Sequence, residues 1–261
     1  SETAAINKLE SLLEKSIKSQ LIGDVPIGAF LSGGIDSTTV VSLMQNLSSK
    51  PVQTFTVGFN EKTYDESLKA KNVSKYLGTI HNEIFLSHNE AKNIIPILPD
   101  IYDEPFSDVS QIPTYLISKL SSEKVKVCLS GDGGDELFCG YNRHLLSPKL
   151  WNILRRIPIP LRNFIAIFIR LVPQSTWDNF YYYFKLLLPK YLQLNNPTLK
   201  FHKLSDIICS KTLFDIYLCL VSSGDSSSTI SNHFKNSILE KQFDFTNYSK
   251  HNPEHQMMLL D

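Results

Sequence analysis

Two short turns carry residue types suited to phosphate chemistry. Ser32-Gly33-Gly34-Ile35-Asp36-Ser37 follows the apolar run Ile27 to Leu31 and precedes Val40, Val41, Leu43, Met44 and Leu47 at helical spacing. A glycine turn between a strand and a helix exposes backbone N–H groups beside the positive end of the helix dipole, which is an anion site. Ser32 and Ser37 add hydroxyl donors, and the adjacent glycines let a ligand come close to the backbone. Asp36 is out of place in a pure anion site unless a cation such as Mg²⁺ bridges it to phosphate oxygens, so the turn points to a nucleotide. The competing structural reading makes Asp36 only an N-cap that starts the helix. GxxxxGKS/T is absent, and GxGxxG is absent at this turn, which sets aside a Walker-type loop and weakens a dinucleotide reading.

The second turn, Ser130-Gly131-Asp132-Gly133-Gly134-Asp135-Glu136, follows the apolar run Val125 to Leu129 and places the carboxylates Asp132, Asp135 and Glu136 among glycines. Alone it reads as a solvated acidic turn. If both turns share one sheet edge, two strand ends can aim Asp36 and Asp135 at one Mg²⁺. Such an ion would neutralise phosphate charge and favour displacement at phosphorus.

The elements that must position these turns follow from periodicity. Ile6, Leu9, Leu12, Leu13 and Ile17 mark an amphipathic helix over Ser1 to Gln20. Strands are expected at Ile27–Leu31, Val52–Phe59, Thr79–Leu86 and Val125–Leu129, the last buried on both faces with Lys126 at the rim. Helices are expected at Asp65–Leu77 with Gly78 as C-cap, at Asn89–Leu98 and at Ile112–Leu120. Alternating strands and helices imply an α/β fold, a doubly wound parallel sheet with ligands beyond the C-terminal strand ends. Residues 1–150 are read as the core that carries both turns, and 151–261 as a helical extension of it. In that extension Leu161–Leu171 and Asn179–Leu188 read as helices and Ser222–Ser228 as an exposed loop.

The 261 residues are 42% hydrophobic and 20% charged, which suits a folded chain and excludes wholesale disorder. Lys+Arg and Asp+Glu are both 26, so no overall positive field exists for nucleic acid, and no nucleic-acid partner is expected. Phe164 to Ile169, the longest strongly apolar stretch, is far too short for a membrane span. The four cysteines form no CxxC pair, and no basic-then-apolar leader opens the sequence, so reduced thiols and a cytoplasmic location are expected. His81 reads as a satisfied strand-end histidine and Arg155, Arg156, Arg162 and Arg170 as a solvated helix face. Tyr181, Tyr182 and Tyr183 read as packing, and Asp103-Glu104-Pro105 is open between a site wall and an acidic helix end. The start at Ser1 and the stop at Asp261 suggest a piece of something longer.

In order and spacing, Asp24-Val25-Pro26-Ile27-Gly28-Ala29-Phe30-Leu31 with the first turn, Tyr64-Asp65-Glu66, Leu77-Gly78-Thr79 with His81, Asp103-Glu104-Pro105 with Asp108 and Pro113, and Leu129 to Phe138 with Gly140-Tyr141 resemble the synthetase domain of glutamine-hydrolysing asparagine synthetases. The resemblance is dense from Asp24 to His144. It implies an adenine-nucleotide α-hydrolase fold, in which ATP is cut between its α and β phosphates. It further implies attack of the aspartate side-chain carboxylate on the α-phosphorus to give β-aspartyl-AMP, which ammonia converts to asparagine. On this resemblance Ser32 to Ser37 would hold pyrophosphate and Asp36 and Asp135 would bind Mg²⁺. Phe30, Leu31, Val57, Ser130 and Gly131 would contact adenosine largely through backbone, and Asp132 and Glu136 would stand near the reacting group. It implies a glutaminase domain that supplies ammonia, outside these residues, and a lysine-bearing block beyond Asp261. Cys139 stands where that family usually has glycine. Two other readings stay open here: an ATP-binding module without turnover of its own, and a related adenylating enzyme acting on a different carboxylate.

Overall fold

The computed structural model describes residues 1–60, 65–104, 108, 110–173, 176, 197–221 and 252–258. It has two compact units, Ser1–Gly134 and Asp135–Asp261.

In the first unit β1 (Ile27–Phe30), β2 (Gln53–Phe59), β3 (Ile80–Leu86) and β4 (Val127–Leu129) form one parallel sheet in the order β3-β2-β1-β4. Parallel neighbours need crossover connections. Here α2 (Ile35–Leu47) joins β1 to β2 and α3 (Ser67–Leu77) joins β2 to β3, while α4 (His88–Ile94), α5 (Leu98–Ile101) and α6 (Gln111–Ser122) lead from β3 to β4. The chain steps outward from β1 to β3 and then returns to pair β4 with the free side of β1. The strand order therefore reverses between β1 and β4, and the crevice beyond such a reversal is where open α/β sheets bind ligands. Both glycine turns follow these two strands.

Most expected elements form within a residue or two. The first helix, α1 (Glu2–Gln20), is capped by Ser1, whose hydroxyl accepts from the Ala4 N–H at 3.4 Å. Gly78 closes α3 in the left-handed conformation (φ 72°). The helix expected at Asn89–Leu98 is broken into α4, a 3₁₀ turn (Ile95–Ile97) and α5, because Pro96 and Pro99 lack the N–H donors that a continuous helix uses. The expectation for β4 needs correction. It is a short edge strand paired only with β1, and Val127 is 43% exposed, so burial on both faces fails. Only Val125, just before the strand, is buried.

The core of this unit gathers Ala29 and Leu31 around β1 with Val41, Leu43 and Met44 of α2, Ala70 of α3, and Val52 and Ile17. It fixes α2 behind the first turn. Truncating Met44, 1% exposed, to alanine is expected to cost about 2–5 kcal/mol, since it removes buried surface and leaves a cavity.

The second unit is helical among the described residues: α7 (Gly134–Leu137, its first residue shared with the first unit), α8 (Asn142–Leu154), α9 (Ile159–Leu171), α10 (Pro197–Cys209), α11 (Leu213–Val221) and α12 (Pro253–Met258). Leu154, Ile207 and Ile216 form its core with Leu150, Trp151, Ile208, Cys219 and Leu220. Arg162 departs from the solvated face expected of it. It is 4% exposed, and its guanidinium donates to the Ser210 carbonyl at 2.6 Å and the Ile208 carbonyl at 3.4 Å. Arg170 pairs with Asp206 at 2.5 Å. The helix expected at Asn179–Leu188, Tyr181 to Tyr183 and the Ser222–Ser228 loop lie outside the described residues. None of the four cysteines is in a disulfide and all are half-buried, and burial pushes the Cys128 and Cys219 thiols up. No described helix is long and apolar enough to cross a membrane.

Candidate active site

The first turn leaves β1 through Leu31, whose side chain is 1% exposed and whose N–H donates to the Phe55 carbonyl at 2.9 Å. Thr56 Oγ1 donates to the Leu31 carbonyl, so both backbone groups of Leu31 are engaged. Phe30 is half-buried at the end of β1. Beyond them the hydroxyls of Ser32 and Ser37 lie 3.0 Å apart, Ser32 N–H donates to Ser37 Oγ at 3.2 Å, and Gly34 N–H donates to Ser32 Oγ at 3.2 Å. The two serines thus clip the turn into a closed ring, and Gly33 takes φ 79° to close it.

The N-cap of α2 is Gly34, with no side-chain cap, and Asp36 stands inside the first turn of the helix. The N-cap reading of Asp36 is thereby removed. The first N–H groups of a helix have no intrahelical partner, and here no side chain takes their place. An uncapped helix N-terminus behind a glycine ring is the arrangement that receives an anion.

The second turn presses against this one. A Cβ built on Gly131 would lie 2.7 Å from the Ser37 nitrogen and 3.0 Å from the Asp36 carbonyl carbon. A Cβ on Gly134 would lie 2.5 Å from the Asp36 carboxyl carbon and within 2.9 Å of both its oxygens. A larger residue at Gly131 would collide with the backbone at the start of α2, and one at Gly134 would displace the Asp36 carboxylate. Ser130 Oγ donates to Asp132 Oδ2 at 3.0 Å and shapes the turn, Gly133 adopts φ 89°, and Asp132 is exposed. Ser32, Asp36, Ser37, Ser130, Gly131 and Asp132 are therefore brought together at the β1–β4 edge. Val57 lies half-buried on neighbouring β2.

In the second unit, Asp135 is exposed and Glu136 half-buried on α7. Tyr141 donates its hydroxyl to the Glu136 carboxylate, and the Arg143 guanidinium lies 3.6 Å from the Tyr141 ring centre. That hydrogen bond first, then burial and the Glu136 charge, push the Tyr141 phenol up to about 12. Sequence reading placed Tyr141 in a motif without giving it this role.

His81 is satisfied on one side only: Nδ1 lies 3.0 Å from Thr54 Oγ1, whereas Nε2 faces Glu83 Oε1 at 3.2 Å and both of these buried atoms lack a hydrogen bond. It stands half-buried near the start of the edge strand β3. Asp103 and Glu104 are exposed, and Pro105 is outside the described residues. Among the described residues no group of three or more His, Cys, Asp or Glu is placed to hold a metal. A Mg²⁺ beside Asp36 would thus draw most of its ligands from phosphate and water, as nucleotide-borne Mg²⁺ does. The glycine-lined carboxylate fits that use.

The family model described as asparagine synthase matches residues 8–261. The chain belongs to the asparagine synthase family. A Methanocaldococcus jannaschii protein assigned as glutamine-hydrolysing asparagine synthetase 2 is 41% identical over 158 residues, covering 60% of this chain and 30% of that protein. Glutamine-hydrolysing asparagine synthetase 1 of Bacillus subtilis is 34% identical over 67% of this chain and 27% of its own length. Asparagine synthetase B of Escherichia coli is 29% identical over 65% of this chain and 38% of its own length. The chain thus spans about a quarter to two fifths of these relatives. Among solved structures, an NH3-dependent NAD synthetase from Campylobacter jejuni aligns at a TM-score of 0.37 and 18% identity, covering 52% of this chain and 60% of that one.

Proposed function

We propose that this chain is the ATP-using part of an AMP- and pyrophosphate-forming amide synthetase that converts aspartate to asparagine. The observation that carries the proposal is the contact of two glycine turns at the strand-order reversal, one an uncapped helix N-terminus and the other acidic. Membership of the asparagine synthase family supports the reaction class. The relatives named above as glutamine-hydrolysing support an ammonia-supplying glutaminase domain as partner.

In this reading the Ser32–Ser37 backbone and the N-terminus of α2 hold the pyrophosphate part of ATP, and the serine clip keeps those donors aimed without further ordering. Bound Mg²⁺ would offset phosphate charge so that a carboxylate can approach the α-phosphorus. Asp36 and Asp135 are its proposed protein ligands. The Leu31 main chain, Phe30, Val57, Ser130 and Gly131 border the adenosine. Asp132 and Glu136 stand by the acyl group, where aspartate's carboxylate forms β-aspartyl-AMP as pyrophosphate leaves and ammonia then expels AMP. The location is proposed to be cytoplasmic.

The test is product analysis of the full-length protein with Mg-ATP, aspartate and ammonium. Asparagine and AMP in equal amounts are expected. AMP formed only with some other acceptor acid would overturn the asparagine assignment.

A further inference from the structure

We infer that Lys69 is a phosphate-binding side chain of this site, a role that rests on the proposed reading of the Ser32–Ser37 turn as a pyrophosphate cradle. Lys69 lies far from that turn in sequence and belongs to no motif read above. The fold brings it there because α3 follows β2 and so begins at the same sheet edge where the turn leaves β1.

Three observations place it. Gly33 is packed directly on the first turn of α3: a Cβ there would lie 2.7 Å from the Ala70 nitrogen and 2.8 Å from the Lys69 Cβ. No side chain stands between the turn and the base of Lys69, whose four-carbon stem has ample reach over the ring. The start of α3 is held to the sheet by Asp65, whose Oδ1 accepts from Phe59 N–H at 3.3 Å and Ser67 N–H at 3.1 Å. Those bonds, from Ser67 first and Phe59 after it, also hold the Asp65 carboxyl below its ordinary range. Lys69 therefore springs from a fixed base.

Its present partner is weak. Nζ lies 3.4 Å from Glu66 Oε1, with 68% and 52% of the two side chains exposed, and exposed pairs of this kind contribute little. Lys71, two residues on, is turned instead toward Glu83 at 3.4 Å. A polyphosphate entering between Asp36 and Asp132 meets two like charges, and a mobile ammonium beside the ring offsets them. Lys69 would then exchange Glu66 for phosphate when ligand binds.

The test is calorimetric titration of the full chain with Mg-pyrophosphate and, separately, AMP. Lys69→Gln is expected to weaken pyrophosphate about tenfold or more and to flatten its salt dependence, with AMP affinity unchanged. Lys69→Arg keeps most of the affinity, Glu66→Gln equals or exceeds wild type, and Lys75→Gln, at the far end of α3, matches wild type. If wild type binds pyrophosphate and Lys69→Gln binds it equally, the inference about Lys69 is overturned while the cradle stands. If wild type binds no pyrophosphate, the cradle reading falls and this inference with it.

Discussion

Alanine at Gly131 and alanine at Gly134 should fail in different ways, and the difference tests why the second turn is glycine-rich. At Gly131 the new methyl meets the backbone nitrogen of Ser37 at 2.7 Å, closer than packed carbon tolerates. That nitrogen sits in the first turn of α2, which is anchored in the core by Val41 and Met44, so it cannot retreat. Overpacking of this kind costs about 1–3 kcal/mol, which for a chain of this size lowers Tm by roughly 2–4 °C per kcal/mol. At Gly134 the methyl meets the Asp36 carboxylate at 2.5 Å, and a carboxylate at the end of a side chain can swing away. Gly134→Ala should therefore cost less than about 1 kcal/mol yet displace Asp36 and abolish Mg-dependent ATP binding. Urea denaturation and ATP titration of both variants, with Asp36→Ala added to each, separate the cases. Removing the Asp36 carboxylate should recover any stability lost in Gly134→Ala and none of that lost in Gly131→Ala. A Gly131→Ala variant as stable as wild type, or a Gly134→Ala variant with wild-type ATP affinity, refutes the reasoning.

Three further outcomes follow from the same geometry. Cys139 holds φ 61°, a left-handed position that strains a side chain, so Cys139→Gly should stabilise the protein by about 0.5–1 kcal/mol, read from the urea midpoint. Burial lowers the His81 pKa, against the pull of Glu83, while Lys71 adds to the lowering. The unfolded chain then takes up a proton more readily than the folded one, so stability is full above about pH 6.5 and falls as pH drops through that value, by at most about 1.4 kcal/mol per pH unit; His81→Gln should flatten that portion of the curve. Ultraviolet titration should find one phenol ionising near 12 that Tyr141→Phe removes; unchanged difference spectra would mean the Glu136 bond is absent.

Among the described residues the strands, most of the helices and the two turns were legible because β-branched runs, helical stripes and glycine clusters are local signals. The strand order was less so. That β1 and β4 are neighbours follows from pairing across a long stretch of chain, and with it comes the edge position that exposes Val127. Sequence offered ligand approach as the reason for the glycines, whereas Gly131 and Gly134 are also demanded by the close passage of α2. Lys69 carried no motif, although a helix following β2 in a parallel unit must begin at the ligand edge, which was the available signal. Arg162 looked like one more surface arginine because the carbonyls that bury it, those of Ile208 and Ser210, come from a distant segment. The serine pair illustrates a finer limit: their spacing suggested donors to a ligand, and the structure shows hydroxyls that also bond each other.

The most direct test of the central claim follows one oxygen atom. Aspartate labelled with oxygen-18 in its side-chain carboxylate is incubated with the full-length protein, Mg-ATP and ammonium, and the AMP is weighed by mass spectrometry. Attack of that carboxylate on the α-phosphorus leaves one labelled oxygen in AMP when ammonia displaces it, so labelled AMP beside pyrophosphate is the predicted result. Unlabelled AMP, or ADP and phosphate in its place, would contradict the account.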